Sequence, residues 1–121
     1  MHSYKNQSFL SRLRFACAGV AAGLRTEASL RWQFLAFVAL MGVLLMFRPE
    51  PVWWALAILA SVGVLVAELF NTAIELLADH LHPQAHASIR IVKDCAAAAV
   101  LVATAGSLAV GIALLIHLLG R

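Results

Sequence analysis

The chain is 121 residues long, 63% apolar and only 12% charged, with a mean hydropathy of +0.90. Soluble domains carry about 25% charged residues, so this composition excludes an ordinary water-soluble fold and predicts a membrane protein. The length leaves room for one compact domain, residues 1–121, and a bundle that thin cannot enclose a substrate cavity alone, which predicts self-association.

The first predicted element is a helix from roughly Ser8 to Thr26. Leu10, Leu13, Cys17, Val20 and Leu24 recur at near-helical spacing while Arg12, Arg14 and Arg25 interrupt them, the pattern of an amphipathic helix lying on a membrane surface. It does not read as a secretory signal, because the long apolar run begins only after residue 33 rather than close behind a basic start. The first span is clean from Phe34 to Phe47, about 14 residues and too short alone, so its helix is expected to begin near Leu30 with Arg31 and Gln33 in the first turns. Arg48-Pro-Glu-Pro51 stops it, and Trp53 and Trp54 beyond, like Trp32 before, are placed as interfacial anchors. The second span runs uncharged from Val52 through Ala67 and continues toward water as a helix from Glu68 to Asp79. A loop over 80–94 is expected next, and a third span from about Ala96 to Leu119, where Ala96 to Ala99, Ala103, Ala105, Gly106, Ser107, Ala109 and Gly111 let neighbouring backbones approach closely. The predicted fold is an all-α membrane protein: an N-terminal amphipathic surface helix plus three transmembrane helices.

Lys5, Arg12, Arg14, Arg25 and Arg31 precede the first span, and Arg90 and Lys93 lie between the second and third. The positive-inside rule then places the N-terminus in the cytoplasm and the C-terminus outside. Cys17 and Cys95 both fall near the cytoplasmic side, which argues for plain packing over a structural disulfide. The net charge of +3 suits anionic lipid headgroups. Its basic residues are scattered along the borders of apolar segments, so no nucleic-acid partner is expected.

The most informative feature is the spacing of Glu68, Asn71, Glu75 and Asp79. On a helix these four share one face over roughly 16 Å of axis. Ionised side chains beside hydrocarbon are expensive, so three carboxylates in line with an amide point to a polar task there, with a metal, a phosphate or a proton as its object.

The run Glu68-x-x-Asn71-Thr-Ala-Ile-Glu75-x-x-x-Asp79, then His86, then Lys93-Asp94-x-Ala-Ala-Ala-Ala-Val-Leu101, resembles the signature of small bacterial integral-membrane lipid kinases, the prokaryotic diacylglycerol kinase and undecaprenol kinase family. The likeness extends upstream to Gly19 and Thr26-Glu27-Ala-Ser-Leu-Arg31, and departs at Phe70 and Ala78, both apolar. The resemblance implies a homotrimer in the bacterial cytoplasmic (inner) membrane that moves the γ-phosphoryl of MgATP onto a lipid hydroxyl. Diacylglycerol, giving phosphatidic acid, is the leading acceptor because Glu27-Ala-Ser-Leu-Arg31 resembles that type. Undecaprenol is the alternative, on the Gly19 to Glu27 spacing and Arg90 after His86.

Residue roles follow from the same resemblance. Glu27 and Glu75 would hold Mg²⁺, Glu68 would act as base on the lipid hydroxyl, and His86, Lys93 and Asp94 would contact nucleotide. Asn71 and Asp79 would support them, and Arg31 and Gln33 would meet the lipid; the basic residue that the family uses near its N-terminus counts to Ser8 here, with Arg12 and Arg14 nearby, so Arg12, Arg14 or neither takes that role. The residue types suit these tasks: hard Mg²⁺ takes carboxylate oxygens, waters and phosphate, and lysine meets phosphate as a point charge. The sequence contains no Gly-x-x-x-x-Gly-Lys loop, which excludes the soluble P-loop enzymes.

Other readings stand beside these. Glu68 and Glu75 could pair with arginines at a helix interface, Glu27 could cap or flank the first span, and Asp79 could be an exposed helix end. His80, His82 and His86 read as solvated loop histidines, since zinc sites ask for more thiolate or imidazole. Arg31 and Gln33 could simply snorkel. As a different function class, a small proton-coupled transporter would use Glu68 and Glu75 as its relay, and it would have no need of Lys93, Asp94 and Glu27.

Overall fold

The computed structural model describes residues 6–121, so Lys5 lies outside the described residues. Four helices follow in order: α1 (Phe9–Thr26), α2 (Ala28–Phe47), α3 (Pro51–Leu81) and α4 (Ala87–Leu119). The last three are long and apolar enough to cross a membrane, as expected, and α1 takes the place of the expected surface helix.

Local chemistry sets the boundaries. Ser8 caps α1 by accepting from the Ser11 N–H, which satisfies one of the orphan donors of the first turn. Glu27, in extended conformation, interrupts the helical path for one residue, and its own N–H closes α1 on the Gly23 carbonyl at 2.9 Å. At the far end of α2, Arg48 turns left-handed at φ 45°, and Pro51 opens α3 where its missing N–H costs nothing.

Length explains where the site lies. With 20 residues α2 is about 30 Å long, the thickness of a hydrocarbon core. The 31 residues of α3 and 33 of α4 make about 46 and 50 Å, so both overshoot that layer. At the α2–α3 connection the three helices finish together: Arg121 donates to the Phe47 carbonyl at 3.1 Å, and the His117 ring meets Glu50 at 2.8 Å. The surplus therefore projects at the other end, as an α3–α4 hairpin that carries Asp79, His86 and Lys93.

That hairpin corrects the expected loop over 80–94 and the expected start near Ala96. The third long helix begins at Ala87, and α3 runs on to Leu81. His86 caps α4 by accepting from the Ser88 N–H at 3.1 Å, and Arg90 pairs with Asp94 one turn on at 3.9 Å. Hydropathy marks only the lipid-facing part of such a helix and is silent on its polar first turns.

Packing is concentrated at two levels. Near the α2–α3 connection Leu44, Ala57 and Leu114 form a buried cluster, with Trp53, Trp54 and Leu118 packed against it. Trp53 also stacks on His117 at 5.0 Å, so these two tryptophans are packing residues as well as candidate belt residues, whereas Trp32 is exposed. The Glu50 carboxyl in the connection is held below its ordinary value, by its own backbone N–H first and then by His117. At the other level α1 docks through Gly23, where an added Cβ would lie 2.8 Å from Leu30 Cδ2 and 3.1 Å from Leu69 Cδ2. Only glycine lets α1 come this close to α2 and α3. Elsewhere large apolar side chains such as Leu59, Leu101, Val102 and Leu108 are exposed, a surface fit for lipid or for another copy of the chain.

Candidate active site

The face predicted from the spacing on α3 is divided between two neighbours. At one end Glu68 is buried, at 5% exposure, and its Oε2 accepts a hydrogen bond of 3.0 Å from the hydroxyl of Ser29 in the first turn of α2. Its backbone is tied as well, because the Thr72 hydroxyl donates to the Glu68 carbonyl at 2.9 Å. Among the described residues no arginine pairs with Glu68, whose carboxylate accepts from a neutral hydroxyl instead. The sequence assigns Ser29 no role of its own, although it stands inside the Glu27-Ala-Ser-Leu-Arg31 run.

Further along the same face, Asn71 and Glu75 are half-buried. The Asn71 Oδ1 is buried without a hydrogen-bond partner, an orphaned acceptor of the kind that native structures rarely leave unexplained. Among the described residues neither Glu75 nor Glu27 makes a side-chain hydrogen bond or ion pair. Glu27 sits at the N-cap position flanking α2 and makes no side-chain capping bond. α2 and α3 meet at Ser29 and Glu68, just beyond Glu27. Free carboxylates and an orphaned amide oxygen are hard donors that fit Mg²⁺. The described residues hold no group of three or more His, Cys, Asp or Glu side chains around a metal-sized point.

The second end of the face opens into a cleft of about 620 Å³ in the hairpin, lined by Asp79, His82, His86, Arg90, Lys93 and Asp94 among others. Lys93 Nζ is ion-paired with Asp79 Oδ1, which joins α3 to α4 across the cleft and gives Asp79 a partner rather than leaving it a bare helix end. The His82 and His86 rings lie 5.3 Å apart, and both use Nδ1 locally, on Gln84 O and Ser88 N. The N-terminal turn of α4 also borders the cleft, and helix N-termini attract phosphate. His86, Lys93 and Asp94 thus line one cleft. Arg31 is occupied structurally: Nη1 donates to the Leu24 and Arg25 carbonyls at 3.0 and 3.1 Å, clamping the end of α1. Gln33 is half-buried on α2, and Arg12 and Arg14 are exposed on α1.

The model of a family described as prokaryotic diacylglycerol kinase matches residues 14–115. A diacylglycerol kinase of Synechocystis sp. is 34% identical over 110 residues, covering 90% of this chain and 63% of that relative. The chain therefore spans somewhat under two thirds of the length of the relative it matches. The match takes in α2 and α3, all but the start of α1 and most of α4, and with them the carboxylate face and the cleft. The chain belongs to the prokaryotic diacylglycerol kinase family.

Proposed function

We propose that this membrane protein is an ATP-dependent lipid kinase that transfers the γ-phosphoryl of MgATP to the hydroxyl of diacylglycerol, giving phosphatidic acid. The observation that carries this reading is one α3 face with a buried, hydroxyl-anchored carboxylate at its apolar end and a Lys93-bearing polar cleft at its other. Phosphoryl transfer needs positioning and charge neutralisation rather than covalent catalysis, and these residues supply both. Glu68 takes the proton from the lipid hydroxyl as the lipid oxygen bonds to the γ-phosphorus and the bond to the β,γ-bridging oxygen breaks, releasing ADP. Lys93 meets the phosphates as a point charge once the nucleotide competes with Asp79, and His86 and Asp94 border the same space. Mg²⁺, when bound, would neutralise charge on the phosphates, with Glu27 and Glu75 as its protein donors and Asn71 orienting one of them.

The orientation follows the positive charge, with the hairpin and α1 at the cytoplasmic face of the inner membrane, where ATP is found. A homotrimer completes the site. The uncovered small residues on α4, where Gly106 and Gly111 meet nothing within 4 Å among the described residues, support association through that helix. Mass measurement of the active detergent-solubilised species is expected to give three copies; an active monomer would contradict it.

The test of the function is radiolabelled ATP with the purified protein in mixed micelles of diacylglycerol or undecaprenol. Labelled phosphatidic acid is expected; label on undecaprenol alone would move the acceptor to the polyprenol. Under the same assay Glu27→Gln and Glu75→Gln should each raise the Mg²⁺ required for half-maximal activity by roughly tenfold, the scale of one lost charged contact. An unchanged Mg²⁺ titration in both variants would remove the metal assignment.

A further inference from the structure

We propose that Ser29 is a positioning residue for phosphoryl transfer, holding Oε2 of Glu68 so that Oε1 alone is presented to the acceptor hydroxyl; this rests on the lipid-kinase reading of the same site. Ser29 Oγ is the side-chain donor that Glu68 has among the described residues, at 3.0 Å and from a different helix. A glutamate side chain turns about three bonds, and immobilising it in water would cost up to about 2 kcal/mol of rotamer freedom. Burial removes much of that freedom here, and the Ser29 hydroxyl fixes what burial leaves, the rotation of the carboxylate itself. The backbone end is already tied by Thr72.

The chemistry of the bond agrees with the role. A hydroxyl donating to a carboxylate oxygen occupies that oxygen without neutralising it, and leaves the second oxygen as the acceptor. The proton of the lipid hydroxyl then has one destination, Glu68 Oε1, while the new bond forms to the γ-phosphorus and ADP departs. It leaves Glu68 for solvent after the product is released. Rate gains from such pre-orientation appear in turnover, since reactant affinity does not depend on which carboxylate oxygen faces the hydroxyl.

The experiment is steady-state kinetics of wild type, Ser29→Ala, Ser29→Cys and Ser29→Thr, each also in a Glu68→Gln background, with melting temperature measured on every protein. Ser29→Ala should lower kcat about tenfold, with KM for lipid and for MgATP within twofold. Ser29→Thr should restore turnover, and Ser29→Cys, a weak donor of similar size, should fall between. In the Glu68→Gln background the Ser29→Ala effect should vanish, because Ser29 acts through the base. An equal loss in both backgrounds, or a loss confined to KM, would mean that Ser29 merely ties α2 to α3 and would overturn the proposal. An active wild type whose kcat is indifferent to Ser29 overturns this assignment alone. A wild type that phosphorylates no lipid overturns the kinase reading with it. If the alanine variant melts early, the ordering of the threonine and cysteine variants decides.

Discussion

Glu68→Gln should lower kcat by at least 100-fold while leaving the fold intact, the largest effect expected of any single substitution in this chain. General-base catalysis is worth about 10²–10⁴-fold, and the amide removes it completely because it cannot accept the lipid proton. The packing is retained: glutamine has the same shape, and its oxygen can still accept from Ser29 at the place where Oε2 now lies. The structure thus separates the chemical from the structural contribution of this position. Kinetics in mixed micelles, with the melting temperature alongside, measures it. A kcat within a few-fold of wild type would remove Glu68 from the role of base. Proton flux in liposomes that requires Glu68, from a wild type that makes no lipid phosphate, would turn the reading toward a transporter.

Lys93→Ala should act on the nucleotide instead. A charge-assisted phosphate contact is worth roughly 1.5 to 3 kcal/mol, so KM for MgATP should rise about 10- to 150-fold while KM for lipid stays nearly constant. The geometry sharpens the expectation. Lys93 is the partner of Asp79 at the cleft, and its truncation leaves an unpaired carboxylate facing the incoming phosphates. The substitution therefore removes an attraction and exposes a repulsion in the same place. Varying ATP at fixed lipid, then lipid at fixed ATP, separates the two constants. A change confined to the lipid constant would take Lys93 out of the nucleotide site.

Much of this molecule was legible before its coordinates. The spans of α2, α3 and α4 announce themselves because residues facing hydrocarbon must be apolar over about 20 positions, and prolines and charges must then interrupt them. The surface helix was legible for a related reason, arginines interrupting an apolar period. The carboxylate face was legible because its spacing is the helical repeat itself: once α3 is a helix, Glu68, Asn71, Glu75 and Asp79 have no choice but to share a side.

What the sequence could not disclose is contact between separate helices. The start of α4 at Ala87 is marked by a cap from His86, with an exposed one-turn pair of Arg90 and Asp94 just inside, polar features that a hydropathy reading takes for loop. The meeting of Glu50 with His117 joins positions 67 apart, and that of Ser29 with Glu68 joins positions 39 apart. No local period encodes either one. Nor does any local period encode the bonds from Arg31 to the Leu24 and Arg25 carbonyls, which tie α2 to the end of α1. The sequence alone determined which faces are polar and where the apolar spans lie, because both follow from backbone geometry and the cost of charge in hydrocarbon. Only the tertiary structure decided which of those faces meet, because helix docking turns on close approaches such as that of Gly23 to Leu30 and Leu69, where space rather than composition selects the partner.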